Sequence, residues 1–201
     1  LAGAPIARYG TPEQRAALIP PMTRGETIGA IGYSEAGAGS DLSAIATTAT
    51  RVHEGDDAPW VIDGEKVLVT GAHKADWILI VARTDPDAPA RAAMSMFVVP
   101  MATPGVSVTR IRTANDWTLG TVRFASAEVP ASALLGESGR GFAQMAAALA
   151  DERSGFFWVG WAEQRLDDLL AHVRAVGIDT LAVAPAVARD RLARAYTDVT
   201  L

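Results

Sequence analysis

Apolar and polar positions change their spacing twice along the chain, and each change predicts a different kind of element. Over residues 1–25 the pattern predicts one short helix, with Thr11 as cap, Pro12 at the first helical position, and Ala16, Ala17, Leu18 and Ile19 as its apolar surface. Pro20-Pro21 is expected to stop it, because proline disfavours helical backbone in the residue before it. From residue 26 to 130, short β-prone runs alternate with turn residues, at 27–33, 45–52, 60–63, 67–70, 77–82, 94–99, 106–111 and 121–124. Short strands so spaced predict an antiparallel β-barrel or sandwich, and Asp63-Gly64 between two such runs predicts a hairpin. From Gly139 the period becomes helical: Phe142, Met145, Leu149, Phe156, Phe157, Trp161, Leu166 and Leu170 keep that spacing across residues 141–176. A break at 177–185 precedes a second amphipathic helix over 186–199. The fold class expected is α+β, divided as the end of a helical domain (1–25), a middle β-domain (26–136) and the start of a second helical domain (137–201).

Composition narrows the function classes. Of the 201 residues 49% are hydrophobic, enough for a sizeable core. The net charge of −5, with basic residues scattered along the chain, argues against nucleic acid as a partner. Zero cysteines exclude disulfides, thiolate nucleophiles and Cys-ligated metals. No run approaches the ~18 apolar residues of a membrane span, and no basic-then-apolar leader opens the chain, so a cytoplasmic location is expected. The first residue is Leu rather than Met, so a preceding piece is expected to be missing. The two carboxy-terminal helices carry more apolar surface than they can bury on each other. More chain or another subunit is expected to cover it.

Three segments carry candidate chemistry. Tyr33-Ser34-Glu35-Ala36-Gly37-Ala38-Gly39-Ser40-Asp41-Leu42 joins small residues, which admit close backbone approach, to the hydroxyls of Ser34 and Ser40. No Lys follows the glycines, as a P-loop requires, and Leu42 stands at the third glycine position of the dinucleotide fingerprint. Alone, the segment reads more readily as a structural turn. The stretch from Asp63 to Ala72 reads as a hairpin leading into a core strand, with His73 and Lys74 at the turn after it. No second His or carboxylate stands at metal-ligand spacing from His73, so no metal site is expected. Ala150-Asp151-Glu152-Arg153 interrupts a predicted helix of small and apolar residues. Such charges form either a solvated stripe or the polar floor of a pocket, and a carboxylate in the second setting has the raised pKa of a general base.

Taken in order, these segments resemble the acyl-CoA dehydrogenase family over most of the chain. Residues 3–14 resemble the family's lead-in to its β-domain, and Tyr33 to Asp41 is similar to its most specific signature, with Ala36 where Pro is usual. Gly64-Glu65-Lys66 through Ala75-Asp76-Trp77 follows at the family's distance. Val129-Pro130, Leu135-Gly136-Glu137 and Gly139-Arg140-Gly141 resemble the exit into its carboxy-terminal helices. The resemblance implies FAD bound between the β-domain and the helices, and oxidation of an acyl-CoA thioester to the 2-enoyl-CoA. It also implies a homo- or hetero-oligomer that passes electrons to an electron-transferring flavoprotein. By the same resemblance Tyr33, Ser34, Gly39, Ser40 and Thr70 line the cofactor, while Ser40 and Arg153 meet the substrate. Most members carry the catalytic carboxylate near the far carboxy terminus. A minority carry it in a Glu-Arg pair on the first long carboxy-terminal helix, where Glu152-Arg153 stands.

Two departures motivate a second reading, a non-catalytic subunit that completes a partner's site. Leu68 replaces the Trp that many relatives pack by the flavin. Arg174-Ala175-Val176-Gly177 replaces the family's Arg-x-x-Phe-Gly, whose Arg reaches a neighbouring subunit's FAD.

Overall fold

The computed structural model describes residues 2–114, 118–153, 155–180 and 182–200, and the side chains of Phe156, Phe157 and Thr200 lie outside that description. The chain forms two compact units, Leu1–Leu149 and Ala150–Leu201.

The first unit opens with α1 (Gly3–Tyr9), which the sequence reading did not include, and α2 (Pro12–Thr23). Thr11 caps α2 as expected: its side chain accepts from the Gln14 N–H, and Gln14 Oε1 accepts from the Thr11 N–H at 3.0 Å. The same Gln14 side chain donates to the carbonyls of Ser132 and Leu134, 118 and 120 residues away, and so ties the helix start to the sheet domain. Pro20 and Pro21 do not stop α2. They lie inside it, and the Pro20 carbonyl still accepts from the Thr23 hydroxyl and the Arg24 N–H. Their rings remove the two donors that the Ala16 and Ala17 carbonyls would otherwise accept, and the helix ends within one turn of them.

The expected sheet domain follows: β1 (Gly29–Gly32), β2 (Thr48–Arg51), β3 (Trp60–Thr70), β4 (Trp77–Arg83), β5 (Met94–Pro100), β6 (Val106–Arg112), β7 (Thr118–Val129) and β8 (Leu134–Leu135). Most ladders are antiparallel, but β1 and β2 both pair in parallel with β4, so the sheet is mixed. The path β6-β7-β3-β2-β4-β5-β8 is open rather than closed into a barrel. Asp63-Gly64 is not a hairpin either. It lies inside β3, where the β7 register shifts and the Asp63 carboxylate accepts the Ser126 N–H at 2.7 Å. Gly64 takes φ +144°, and a Cβ there would come within 2.6 Å of the Thr47 hydroxyl. The pair serves a bulge, which needs the same glycine freedom as a turn.

β4 is covered on both faces, which explains its unbroken apolar run. Ile78 and Ile80 join Trp60, Ile62, Phe97 and Phe124 on one face. Trp77, Leu79 and Val81 join Ile6, Tyr33, Met96 and Met145 on the other.

The helix expected over 141–176 is two helices, α3 (Gly141–Glu152) and α4 (Phe156–Val176). Gly155, left-handed at φ +80°, separates them, and α5 (Pro185–Thr200) follows. No helix among the described residues is long and apolar enough to cross a membrane.

Candidate functional site

β1 delivers the chain into the small-residue segment with Tyr33 buried, Ser34 half-buried, and Gly39 and Ser40 exposed. The Ser34 carbonyl accepts the Val67 N–H at 2.9 Å, which fixes the segment's start beside β3. Three residues further along that strand Thr70 faces outward, as does Leu68. Leu68 lies at a second register shift of β3, with φ +56° and 60% of its surface exposed. Left-handed backbone in a branched apolar residue carries strain, and strain of this kind gathers where a site is built. The structure therefore brings Ser34 to the strand that carries Leu68 and Thr70.

These segments keep hydroxyls and backbone available to a ligand. The hydroxyls of Ser34, Ser40 and Thr70 make no side-chain hydrogen bond among the described residues. A Cβ built on Gly37 or Gly39 would meet nothing within 4 Å, and neither glycine has a positive φ. The fold itself thus makes no demand for glycine at these two positions, and the open space leaves their backbone free for close approach.

Beneath the segment lies a pair of charges that the sequence reading left unassigned. Lys66 is fully buried, and its Nζ donates to Glu35 Oε1 at 2.6 Å and to the Val81 carbonyl at 2.8 Å. Glu35, its side chain 9% exposed, also accepts the backbone N–H groups of Ala46 (2.7 Å) and Thr47 (3.0 Å). Burial pushes Lys66 down to about 8 against the pull of the Glu35 carboxylate. Burial alone would raise Glu35, but the Lys66 charge and the hydrogen bonds outweigh it and hold the carboxyl below its ordinary range. The signal available in sequence was a lysine within an apolar strand pattern.

Glu152 and Arg153 belong to the second unit. Glu152 is the last residue of α3 rather than mid-helix, Arg153 stands in the turn after it, and both side chains are exposed in this chain. A separate cleft of about 480 Å³, lined by Arg51, Trp60, Asp85 and Ser138 among others, includes none of the expected site residues.

The acyl-CoA dehydrogenase middle-domain family model matches residues 30–126, the stretch that carries β1, the small-residue segment and the buried pair. Acyl-CoA dehydrogenase FadE34 of Mycobacterium tuberculosis is 38% identical over 149 residues, covering 74% of this chain and 20% of the relative. Acyl-CoA dehydrogenase IpdE1 of the same organism is 33% identical over 201 residues, covering 98% of this chain and 50% of the relative. Among solved structures, the Tcur3481-Tcur3483 steroid ACAD superposes with a TM-score of 0.72 at 34% identity, covering 98% of this chain and 50% of that one. The chain thus spans half or less of the length of these relatives.

Proposed function

Given that this chain belongs to the acyl-CoA dehydrogenase family, we propose that the full-length protein is an FAD flavoprotein that oxidises an acyl-CoA thioester to the 2-enoyl-CoA. The observation that carries the proposal is the small-residue segment Ser34–Ser40, tied by the Ser34–Val67 hydrogen bond to the strand that carries Thr70, inside the stretch that matches the family's middle domain. FAD, when bound, supplies the two-electron acceptor for the hydride that leaves the substrate's β-carbon.

The chain's own residues do the rest. Tyr33, Ser34 and Thr70 line the ring, with the Ser34 and Thr70 hydroxyls offering donors and acceptors to its polar edge. Gly39 and Ser40 admit the pyrophosphate, and Ser40 and the Arg153 guanidinium hold the anionic acyl-CoA. The Glu152 carboxylate takes the α-proton, leaving the electron pair that forms the double bond as hydride departs. An α-proton of a thioester is weakly acidic, so this step needs a base shielded from water and donors for the developing enolate. Cover for Glu152 has to come from outside its exposed position in this chain. The domain division at residues 25/26 and 136/137, an oligomeric assembly and electron transfer to an electron-transferring flavoprotein belong to the same proposal.

The second reading, a non-catalytic subunit completing a partner's site, is favoured by Leu68, which presents an exposed aliphatic side chain at the β3 bulge. One experiment separates the two. Full-length protein expressed alone is assayed for bound FAD and for acyl-CoA-dependent reduction of an artificial one-electron acceptor. Bound flavin and turnover support the dehydrogenase; a soluble protein with neither contradicts it and supports the partner-dependent subunit.

A further inference from the structure

The buried pair of Lys66 and Glu35 sits where two strands exchange places beside β4. β1 pairs with β4 over Trp77 to Ile80, and β2 reaches β4 only at Arg83. Val81 falls between these pairings, and its carbonyl is the one that Lys66 Nζ engages. The chain between β1 and β2 is the excursion over residues 33–47 that carries Ser34, Gly37, Gly39 and Ser40. Glu35 stands at the start of that excursion and accepts from Ala46 and Thr47 at its end. Its backbone also exchanges two hydrogen bonds with Ala38, at 2.9 and 3.1 Å. One carboxylate therefore joins both ends of the loop to a lysine anchored in the sheet.

The surroundings are shaped to this arrangement. A Cβ on Gly32 would come within 3.2 Å of Lys66 Cβ and 2.7 Å of Ile78 Cδ1, so the last residue of β1 leaves room for the lysine stem. Replacing a buried ion pair by apolar side chains is often neutral or stabilising, so stability alone is a weak reason to keep two charges here. What the pair adds is direction. Five hydrogen-bonding groups, from β3, β4 and both ends of the loop, meet at one point.

We propose that Lys66 and Glu35 are positioning residues, a buried clamp that closes the base of the 33–47 loop and holds its Ser34–Ser40 segment against β3 for the cofactor. The clamp itself stands on geometry alone, while its purpose rests on the proposed flavin site.

The test compares full-length wild type with Glu35→Gln, Lys66→Met and the double variant E35Q/K66M. Amide hydrogen exchange is read on FAD-free protein, and FAD dissociation constants are read by fluorescence. In the double variant, whose stability recovers, exchange over residues 33–47 is expected to rise at least about tenfold, with residues 94–100 and 119–129 keeping their protection. The double variant leaves no buried charge unpaired, so its thermal stability recovers, yet it binds FAD about tenfold more weakly than wild type. Two results would overturn the clamp: FAD affinity that returns together with thermal stability, or exchange over 33–47 unchanged or raised evenly across the sheet. Wild type that binds no FAD defeats the functional reading instead, and local exchange over 33–47 then still decides for or against the clamp. If Lys66→Met fails to fold, the double variant carries both readouts.

Discussion

Strand β3 and the junction of α3 with α4 each carry a charged residue, Lys66 and Glu152, and the fold treats the two in opposite ways. Lys66 is drawn fully inside, with a carboxylate and a carbonyl as partners. Glu152 ends its helix and stands exposed, three residues before a left-handed glycine. The difference lies in what each neighbourhood offers. Around Lys66 the gap between the β1 and β2 pairings leaves an acceptor free, and Glu35 supplies the countercharge. Around Glu152 the helix stops and its unit leaves even Trp158 and Trp161 66% and 52% exposed. The sheet unit pairs its buried lysine internally, whereas the helical unit presents both charge and aromatic surface outward.

That contrast breaks most sharply at Glu152. If it supplies the base, Glu152→Gln lowers acyl-CoA turnover at least ~100-fold with expression and FAD content intact. Near-normal turnover would show that the base lies elsewhere, and collapsed expression would make the residue structural. At Lys66 the expected effect is on folding. Lys66→Met strands a buried carboxylate and lowers unfolding free energy by about 3 kcal/mol in denaturant titration. A loss under about 1 kcal/mol would mean that the site admits water and that the pair is not a sealed one.

A smaller effect is expected at Gly141, where a Cβ would stand 2.6 Å from the Ser95 carbonyl carbon. Gly141→Ala forces α3 off the β5 backbone and costs about 2 kcal/mol, read as a lowered Tm. Leu68→Asn goes the other way. Asparagine tolerates the left-handed region better than leucine, so Tm rises slightly, by the equivalent of about 0.5 kcal/mol. The pH dependence sharpens the same contrast. Glu35 is held below its ordinary 4.5, so its contribution to stability is complete above that pH and is lost as pH falls toward the lowered value. Glu35→Gln therefore flattens the acid limb of a Tm-against-pH curve.

Much of this was legible in sequence, in ways that individual residues explain. The Thr11 cap and the β-prone run of β4 declare themselves, because each depends on neighbours a few residues away. Asp63-Gly64 misled because a bulge and a hairpin demand the same backbone freedom, and only the β7 partner decides between them. Gly155 broke a pattern whose apolar period runs straight across it, so periodicity alone predicted one helix where two form. The clamp was invisible for a different reason. Glu35 and Lys66 lie 31 residues apart, and their meeting depends on both β1 and β2 pairing with β4. Ser34 and Thr70 were picked out by the family resemblance, and the Ser34–Val67 hydrogen bond shows how the fold brings their segments together.

Flavin binding by the full-length protein and the role of Glu152 are both reached by one measurement. Purified full-length wild type and Glu152→Gln are mixed anaerobically with a panel of acyl-CoA thioesters of varied acyl group while the visible flavin band is followed. The expected outcome is a flavin band of equal height in both proteins, bleached by at least one thioester in wild type and left standing in the variant. Wild type without a flavin band, or a variant that bleaches at the wild-type rate, would contradict it.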